Sequence, residues 1–205
     1  MRGFELKTTL LKLAVVNGLF NTNEHYLDHV AEHMTNILSS FTGNETYYIT
    51  LFIEQLATFF VPKKENPRHC WSLASKFAHF FIDPDLFPIY DTYVKKMVVF
   101  HLYGEFKDIY EDAIDPYSLF FQDFNILKKF VKMECSIIEL DRYLWLAGQL
   151  KVWKCENQKI RREIADLFKN SEKNKEINDE LNALEGYGGP KSLDSLLPSS
   201  DSCSS

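Results

Sequence analysis

Residues 71–81 read Trp71-Ser72-Leu73-Ala74-Ser75-Lys76-Phe77-Ala78-His79-Phe80-Phe81, and residues 88–96 read Pro88-Ile89-Tyr90-Asp91-Thr92-Tyr93-Val94-Lys95-Lys96. On a helical wheel Leu73, Ala74, Phe77, Ala78, Phe80 and Phe81 share one broad apolar face. Ser72, Ser75, Lys76 and His79 gather on the other. The spacing predicts a helix over about 70–81, stopped by Asp83-Pro84-Asp85 and Pro88. Asp91 then stands where a second helix begins, with a carboxylate suited to accept orphan amides at an N-cap. Helix, proline-bearing break and capped helix together set an all-α reading.

The same period runs outward in both directions. Leu6, Leu10, Leu13 and Val16 predict a first amphipathic helix ending near Asn17-Gly18. Asn23 is placed to cap a second helix reaching about Ser40, and Asn44 a third, aromatic-rich one ending before Pro62. Residues 62–69 read as a polar loop. Asp115-Pro116 precedes a sixth helix over about 117–133, and a seventh covers about 136–150. Short β-branched runs such as 47–51 and 98–100 compete weakly with this pattern. The expected architecture is a compact all-α domain of about seven helices over residues 1–155.

The C-terminal third differs in composition. Residues 156–184 are charged, rich in Asn and nearly free of Gly and Pro, which predicts a long exposed helix. Ile160, Leu167 and Leu181 share one heptad position with Asn174. The partner position mixes Ile177 and Leu184 with Glu163 and Asn170. The expectation is a solvated helix lying loosely on the domain rather than a coiled coil. Residues 185–205, rich in Gly, Ser, Asp and Pro, read as a disordered tail.

The chain has 205 residues, 45% hydrophobic and 15% aromatic, including 17 Phe and 10 Tyr. That suffices for one domain with a ring-packed core. No apolar run approaches the roughly 20 residues a membrane helix needs, and Glu5, Lys7 and Lys12 interrupt the N-terminal apolar stretch, so no secretory signal is expected. Cys70, Cys135, Cys155 and Cys203 are far apart and read as reduced thiols of a cytoplasmic protein. The net charge of −6 argues against a strongly basic nucleic-acid binder. Two segments, 61–104 and 142–175, are nonetheless locally basic, and a polyanion meets both only where they fold onto one face.

Two constellations carry candidate chemistry. His25, His29 and His33 fall within about 80° on one helix face, a spacing that can hold a divalent metal through imidazole nitrogens. Their wheel position is polar, beside Glu24, Asp28 and Glu32, and an ordinary solvated face with local His–carboxylate pairs is the expected state; no His-Glu-x-x-His signature is present. No metal or cofactor is therefore assigned. Lys76 is the second. An amine beside hydroxyls and an imidazole becomes a nucleophile when burial favours its neutral form, whereas the wheel alone places it as a solvated lysine. Farther on, Leu140, Leu144 and Ala147 form a packing stripe, Trp145 a core anchor, and Asp141 or Arg142 one end of an internal ion pair. Glycine-rich phosphate loops, Gly-x-Ser-x-Gly elbows and zinc ligand sets are absent.

The segment holding Lys76, the proline-bearing break and Tyr90-Asp91-Thr92-Tyr93-Val94 resembles part of the helix-hairpin-helix DNA glycosylase superfamily. There a lysine opens a helix, and an aspartate begins the next in a Val-Asp-Thr-His-Val-x-Arg pattern. Ser-Leu-Ala-Ser-Lys-Phe, Pro-Ile-Tyr-Asp and Asp-Arg-Tyr-Leu-Trp also look like a group of bacterial proteins of unassigned function. The resemblance covers about residues 66–148. It implies a helical fold whose cleft accepts a flipped base, Lys76 as the amine that attacks the sugar C1′ and forms a Schiff base, and Asp91 as its activating, charge-stabilising partner. On that reading Lys63, Lys64, Arg68, Lys95 and Lys96 contact DNA phosphates. The chain departs from the family at the hairpin. Residues 66–72 contain no glycine, although glycines there let backbone amides approach phosphate, and the iron–sulfur cysteines of some members are missing.

Two functions are thus expected to compete. One is a DNA glycosylase or abasic-site lyase acting through Lys76. The other is a non-catalytic helical module that keeps the fold without the hairpin and binds a protein partner through 156–184, or binds nucleic acid weakly and without sequence preference. A metal enzyme built on the histidine row ranks below both.

Overall fold

The computed structural model describes residues 3–20, 22–40, 49–62, 64–130, 135–155, 160, 162–171 and 179. Eight helices run through the described residues: α1 (Leu6–Phe20), α2 (Leu27–Ser40), α3 (Ile49–Ala57), α4 (Trp71–Phe81), α5 (Thr92–Tyr103), α6 (Pro116–Phe130), α7 (Ile137–Cys155) and α8 (Arg162–Ser171). Among the described residues the fold is all-α apart from one two-residue pairing. Strands β1 (Thr58–Phe59) and β2 (Arg68–His69) lie antiparallel, Thr58 opposite His69 and Phe59 opposite Arg68. This pairing shortens the expected loop at 62–69 and delivers the chain directly into α4.

The helix starts follow the capping chemistry of the sequence. Asp91 caps α5 by accepting from the Tyr93 amide at 2.9 Å. Asp115 accepts from the Ser118 amide at 3.1 Å and Pro116 opens α6 without forfeiting a bond. Ser136 and Glu139 form a reciprocal capping box on α7: the Ser136 amide donates to Glu139 Oε2 at 2.8 Å and the Glu139 amide to Ser136 Oγ at 3.1 Å. Gly104 closes α5 with φ +77°, a left-handed turn that favours glycine.

Elsewhere the local signals misplace a boundary. Helix α1 runs through Asn17-Gly18 to Phe20. Asn17 does not end it; its side chain holds the following turn, accepting from the Glu24 amide at 3.0 Å and donating to the Glu24 carbonyl at 3.1 Å. Asn23 does not cap α2 but takes a left-handed φ of 55° inside that turn. Glu24 serves the incoming helix instead, accepting from the amides of His25 and Tyr26. Asn44, the expected cap of the third helix, lies outside the described residues.

Packing places α4 at the centre. It touches α1 and α3, while α5 packs on both α6 and α7. Seven consecutive α4 residues, Leu73 to His79, are buried. A helix covered on all sides has no polar face to give to water, which is why the wheel misleads here: Ser75, Lys76 and His79 are inside, and Phe80, assigned to the apolar face, is 47% exposed. The aromatic core centres on fully buried Phe120, whose ring meets Tyr90, Tyr110, Tyr117 and Phe124 at centroid distances of 5.4, 5.7, 6.0 and 5.8 Å. Helices α5 and α7 come close at Gly148, where an added Cβ would stand 2.9 Å from the Tyr93 carbonyl oxygen. Only glycine fits that crossing without moving backbone.

Of the expected helix at 156–184, α8 and residues 160 and 179 are described; the remainder, and the expected tail at 185–205, lie outside the described residues. Helix α8 is not loosely solvated throughout. Phe168 is fully buried with its ring 5.5 Å from that of Trp153, while Leu167, the residue on the heptad, is 55% exposed. The inward face therefore runs through Ile164, Ala165 and Phe168, one position off the heptad. Among the described residues no helix is long and apolar enough to cross a membrane.

Candidate functional site

Lys76 and Asp91 meet. The Lys76 ammonium stands 3.4 Å from Asp91 Oδ2 and donates to Ser72 Oγ at 2.8 Å, one helical turn back. The lysine side chain is 5% exposed and that of the aspartate 19%. The Phe20 ring centroid lies 5.8 Å from the same nitrogen. A buried ammonium is costly unless a carboxylate and hydrogen-bond partners surround it, and both are supplied here. The two Asp91 oxygens divide the work: Oδ1 caps α5 and Oδ2 faces the amine.

The segment that carries Asp91 into place is held by side chains from three helices. His79 of α4 donates through Nδ1 to the Phe87 carbonyl at 2.8 Å, which fixes its tautomer. Burial, with the Arg142 charge nearby, lowers its pKa. Tyr117 of α6 donates to the Pro88 carbonyl at 3.1 Å. Asp141 of α7 accepts from the Ile89 amide at 3.1 Å, and Ser75 of α4 accepts from the Tyr90 amide at 3.0 Å. The Asp91 amide donates to the Ile89 carbonyl at 3.0 Å, tightening the turn just before the cap.

Asp141, expected as one end of an ion pair, instead bonds to backbone. Its pKa is pushed up to about 7, chiefly by burial and further by the Asp91 charge, against the Ile89 hydrogen bond and the Lys76 and Arg142 charges. In the unfolded chain an aspartate releases its proton near pH 4. Between about pH 4 and 7 the folded protein thus holds a proton the unfolded chain has released. Asp141 favours folding most below that window, and its contribution falls as pH rises through it. Asp141→Asn has no such proton. Urea unfolding at pH 5 and pH 8 is expected to show the variant gaining stability relative to the wild type at the higher pH; a constant difference would contradict the buried, titrating carboxylate.

The expected phosphate contacts separate. Lys63 lies outside the described residues. Lys64 is exposed, 5.4 Å over the Tyr26 ring, and Arg68 shares that ring at 5.1 Å while pairing with Glu24 at 3.3 Å. Lys95 is not available to phosphate: it is buried, paired with Asp108 and with Glu111 at 3.7 Å, and 4.3 Å over the Tyr90 ring. Lys96 is half-buried, 5.3 Å over the Phe106 ring. Lys151 stands 5.7 Å over the same ring and 3.9 Å over Phe100. The two locally basic segments therefore do meet, at Phe106. Sequence reasoning misses Lys151 because its partner rings come from another part of the chain, far back from α7.

The histidine row does not hold together as a ligand set. His25 precedes α2, and His33 Nε2 is 2.6 Å from the Gln55 carbonyl oxygen. No three His, Cys, Asp or Glu residues among those described are grouped to hold a metal ion. Cys70 is no nucleophile: burial pushes its thiol up to about 12, and it donates to the Ala57 carbonyl at 3.3 Å.

Comparison with known proteins adds one relative. An uncharacterised protein of Haemophilus influenzae is 26% identical over 150 residues, covering 70% of this chain and 68% of that protein. This agrees with the resemblance to bacterial proteins of unassigned function. No family model matches the chain, and no solved structure matches it.

Proposed function

We propose that the chain is a lysine-dependent DNA glycosylase or abasic-site lyase, with Lys76 as nucleophile and Asp91 as its proton acceptor and electrostatic partner. One observation carries the reading: a 5%-exposed ammonium held 3.4 Å from a carboxylate and 2.8 Å from a hydroxyl. That is the arrangement an amine nucleophile needs, an acceptor in reach for its proton and a hydrogen bond to aim it.

The chemistry balances with these groups. The Lys76 ammonium passes a proton to Asp91, and its freed lone pair bonds to C1′. On an abasic aldehyde the carbonyl oxygen departs as water and an imine remains. On a base-bearing nucleotide the glycosidic bond breaks and its electron pair leaves with the base nitrogen, which takes the proton Asp91 received; the resulting N,O-acetal passes an amine proton to its ring oxygen and opens to the same imine. Lys96 and Lys151 around Phe106, with exposed Lys64, supply the cations for the backbone.

The test is borohydride trapping on single- and double-stranded DNA carrying abasic sites or damaged bases, beside Lys76→Gln. The reading expects a covalent complex from the wild type and none from the variant. Equal trapping by both would remove Lys76 from the role. The internal pairing of Lys95 and Arg68, and the missing hairpin glycines, favour a second reading: a helical module that does no chemistry. It expects no trapping, no DNA binding at low salt, and a protein partner that is no longer captured once 156–205 is deleted.

A further inference from the structure

Asp91 is the N-cap of α5. It follows Pro88-Ile89-Tyr90, a stretch outside any helix, with the helix it caps on one side only. His79 and Tyr117 hold the start of this stretch at the Phe87 and Pro88 carbonyls, and nearest Asp91 two consecutive backbone amides, Ile89 and Tyr90, are each bonded to a buried side chain from elsewhere: Asp141, 52 residues away on α7, and Ser75, 15 residues back on α4. Both anchors are buried, Asp141 at 5% and Ser75 at 0% exposure. Ser75 is the immediate neighbour of Lys76. It also donates to the Ser72 carbonyl at 3.3 Å, and Ser72 is the residue whose hydroxyl holds the Lys76 amine. One set of hydrogen bonds thus ties the turn bearing the carboxylate to the turn bearing the amine.

A buried carboxylate at position 141 is an expensive way to hold an amide. The cost makes sense where the position of the held segment matters. From this we propose that Asp141, together with Ser75, is a positioning residue: by accepting the Ile89 and Tyr90 amides it sets the Asp91 carboxylate against the Lys76 amine. The inference rests on the Lys76–Asp91 reading for its catalytic meaning, but its structural content stands apart from it.

The experiment compares Asp141→Ala, Asp141→Asn and Ser75→Ala with the wild type by crystal structure and by borohydride trapping on abasic-site DNA. Asparagine keeps an oxygen that accepts the Ile89 amide; alanine does not. The Lys76–Asp91 separation is expected to stay near 3.4 Å in the wild type and in Asp141→Asn, and to open beyond about 4 Å in Asp141→Ala. Ser75→Ala, which removes no more than a hydroxyl, is expected to open it too and serves if Asp141→Ala does not fold. Trapping rate at saturating DNA is expected to fall about 100-fold when the pair opens, with DNA affinity unchanged and with rescue by Asp141→Asn. A pair that stays closed in Asp141→Ala or Ser75→Ala overturns the positioning role. So does a pair that opens just as far in Asp141→Asn, because the acceptor of the Ile89 amide would then not be the agent. No trapping by the wild type sinks the reading of Lys76, while the crystal structures still decide the role of Asp141.

Discussion

Asp91→Ala is expected to destabilise the protein and to suppress trapping, whereas Asp91→Asn suppresses trapping with a smaller loss of stability, because it keeps the cap and loses only the counter-charge of Lys76. The carboxylate does two jobs with two oxygens. Removing the cap of α5 costs about 1 kcal/mol. Alanine also strands an ammonium whose side chain is 5% exposed, and breaking a buried pair from one side costs about 3–5 kcal/mol where both partners are fully buried; the 19% exposure of Asp91 puts the loss below that limit. Asparagine caps a helix as well as aspartate does, but it neither carries the charge nor takes the proton. Trapping rate is expected to fall by about 10²–10⁴ in both variants. Urea melts beside single-turnover trapping separate the two effects. An Asp91→Asn protein that traps at the wild-type rate would leave the carboxylate with a structural role only.

Phe120→Ala is expected to produce the largest loss of stability, about 3–5 kcal/mol. The ring is fully buried and four other rings surround it, so little around it can collapse into the space. At this chain length each kcal/mol lowers Tm by about 2–4 °C. The lesion also reaches the site. Tyr90 precedes Asp91, and Tyr117 holds the Pro88 carbonyl; both rings lean on Phe120. Thermal unfolding is the check, and a loss under about 1 kcal/mol would show that this cluster is not the organising core.

Much of the fold is legible in the sequence because it rests on local chemistry. The proline-bearing break at 83–88, the Asp91 cap and the start of α6 at Asp115-Pro116 each depend on residues within a few positions of one another. The misplaced boundaries have a common cause. Asn17 and Asn23 look like stop and start signals, but the side chain of one staples a turn and the backbone of the other supplies its left-handed residue. The two-residue strand pairing carries no periodic signal at all.

The residues of the candidate site are legible in the sequence, and their environment is not. The types and spacing of Lys76 and Asp91 draw attention, yet the wheel places the lysine in water. An amphipathic wheel assumes one buried face, and α4 has none exposed along Leu73 to His79. The same limit hides Asp141 and Ser75. A single-chain pattern has no means of showing that an amide at position 89 is answered by a side chain at position 141. Lys95 fails in the opposite sense. Its charge looks free in the sequence because Asp108 and Glu111 follow α5 by several residues and fold back onto it.

The Lys76 amine is expected to form the imine. Reduce the wild-type protein with borohydride on abasic-site DNA, digest the DNA and then the protein with trypsin, and locate the adduct by mass spectrometry. An adduct on Lys76 blocks cleavage there and is expected in a peptide spanning His69 to Lys95 with the reduced sugar at Lys76. An adduct on Lys64, Lys96 or the terminal amine, with Lys76 cleaved normally, would contradict it.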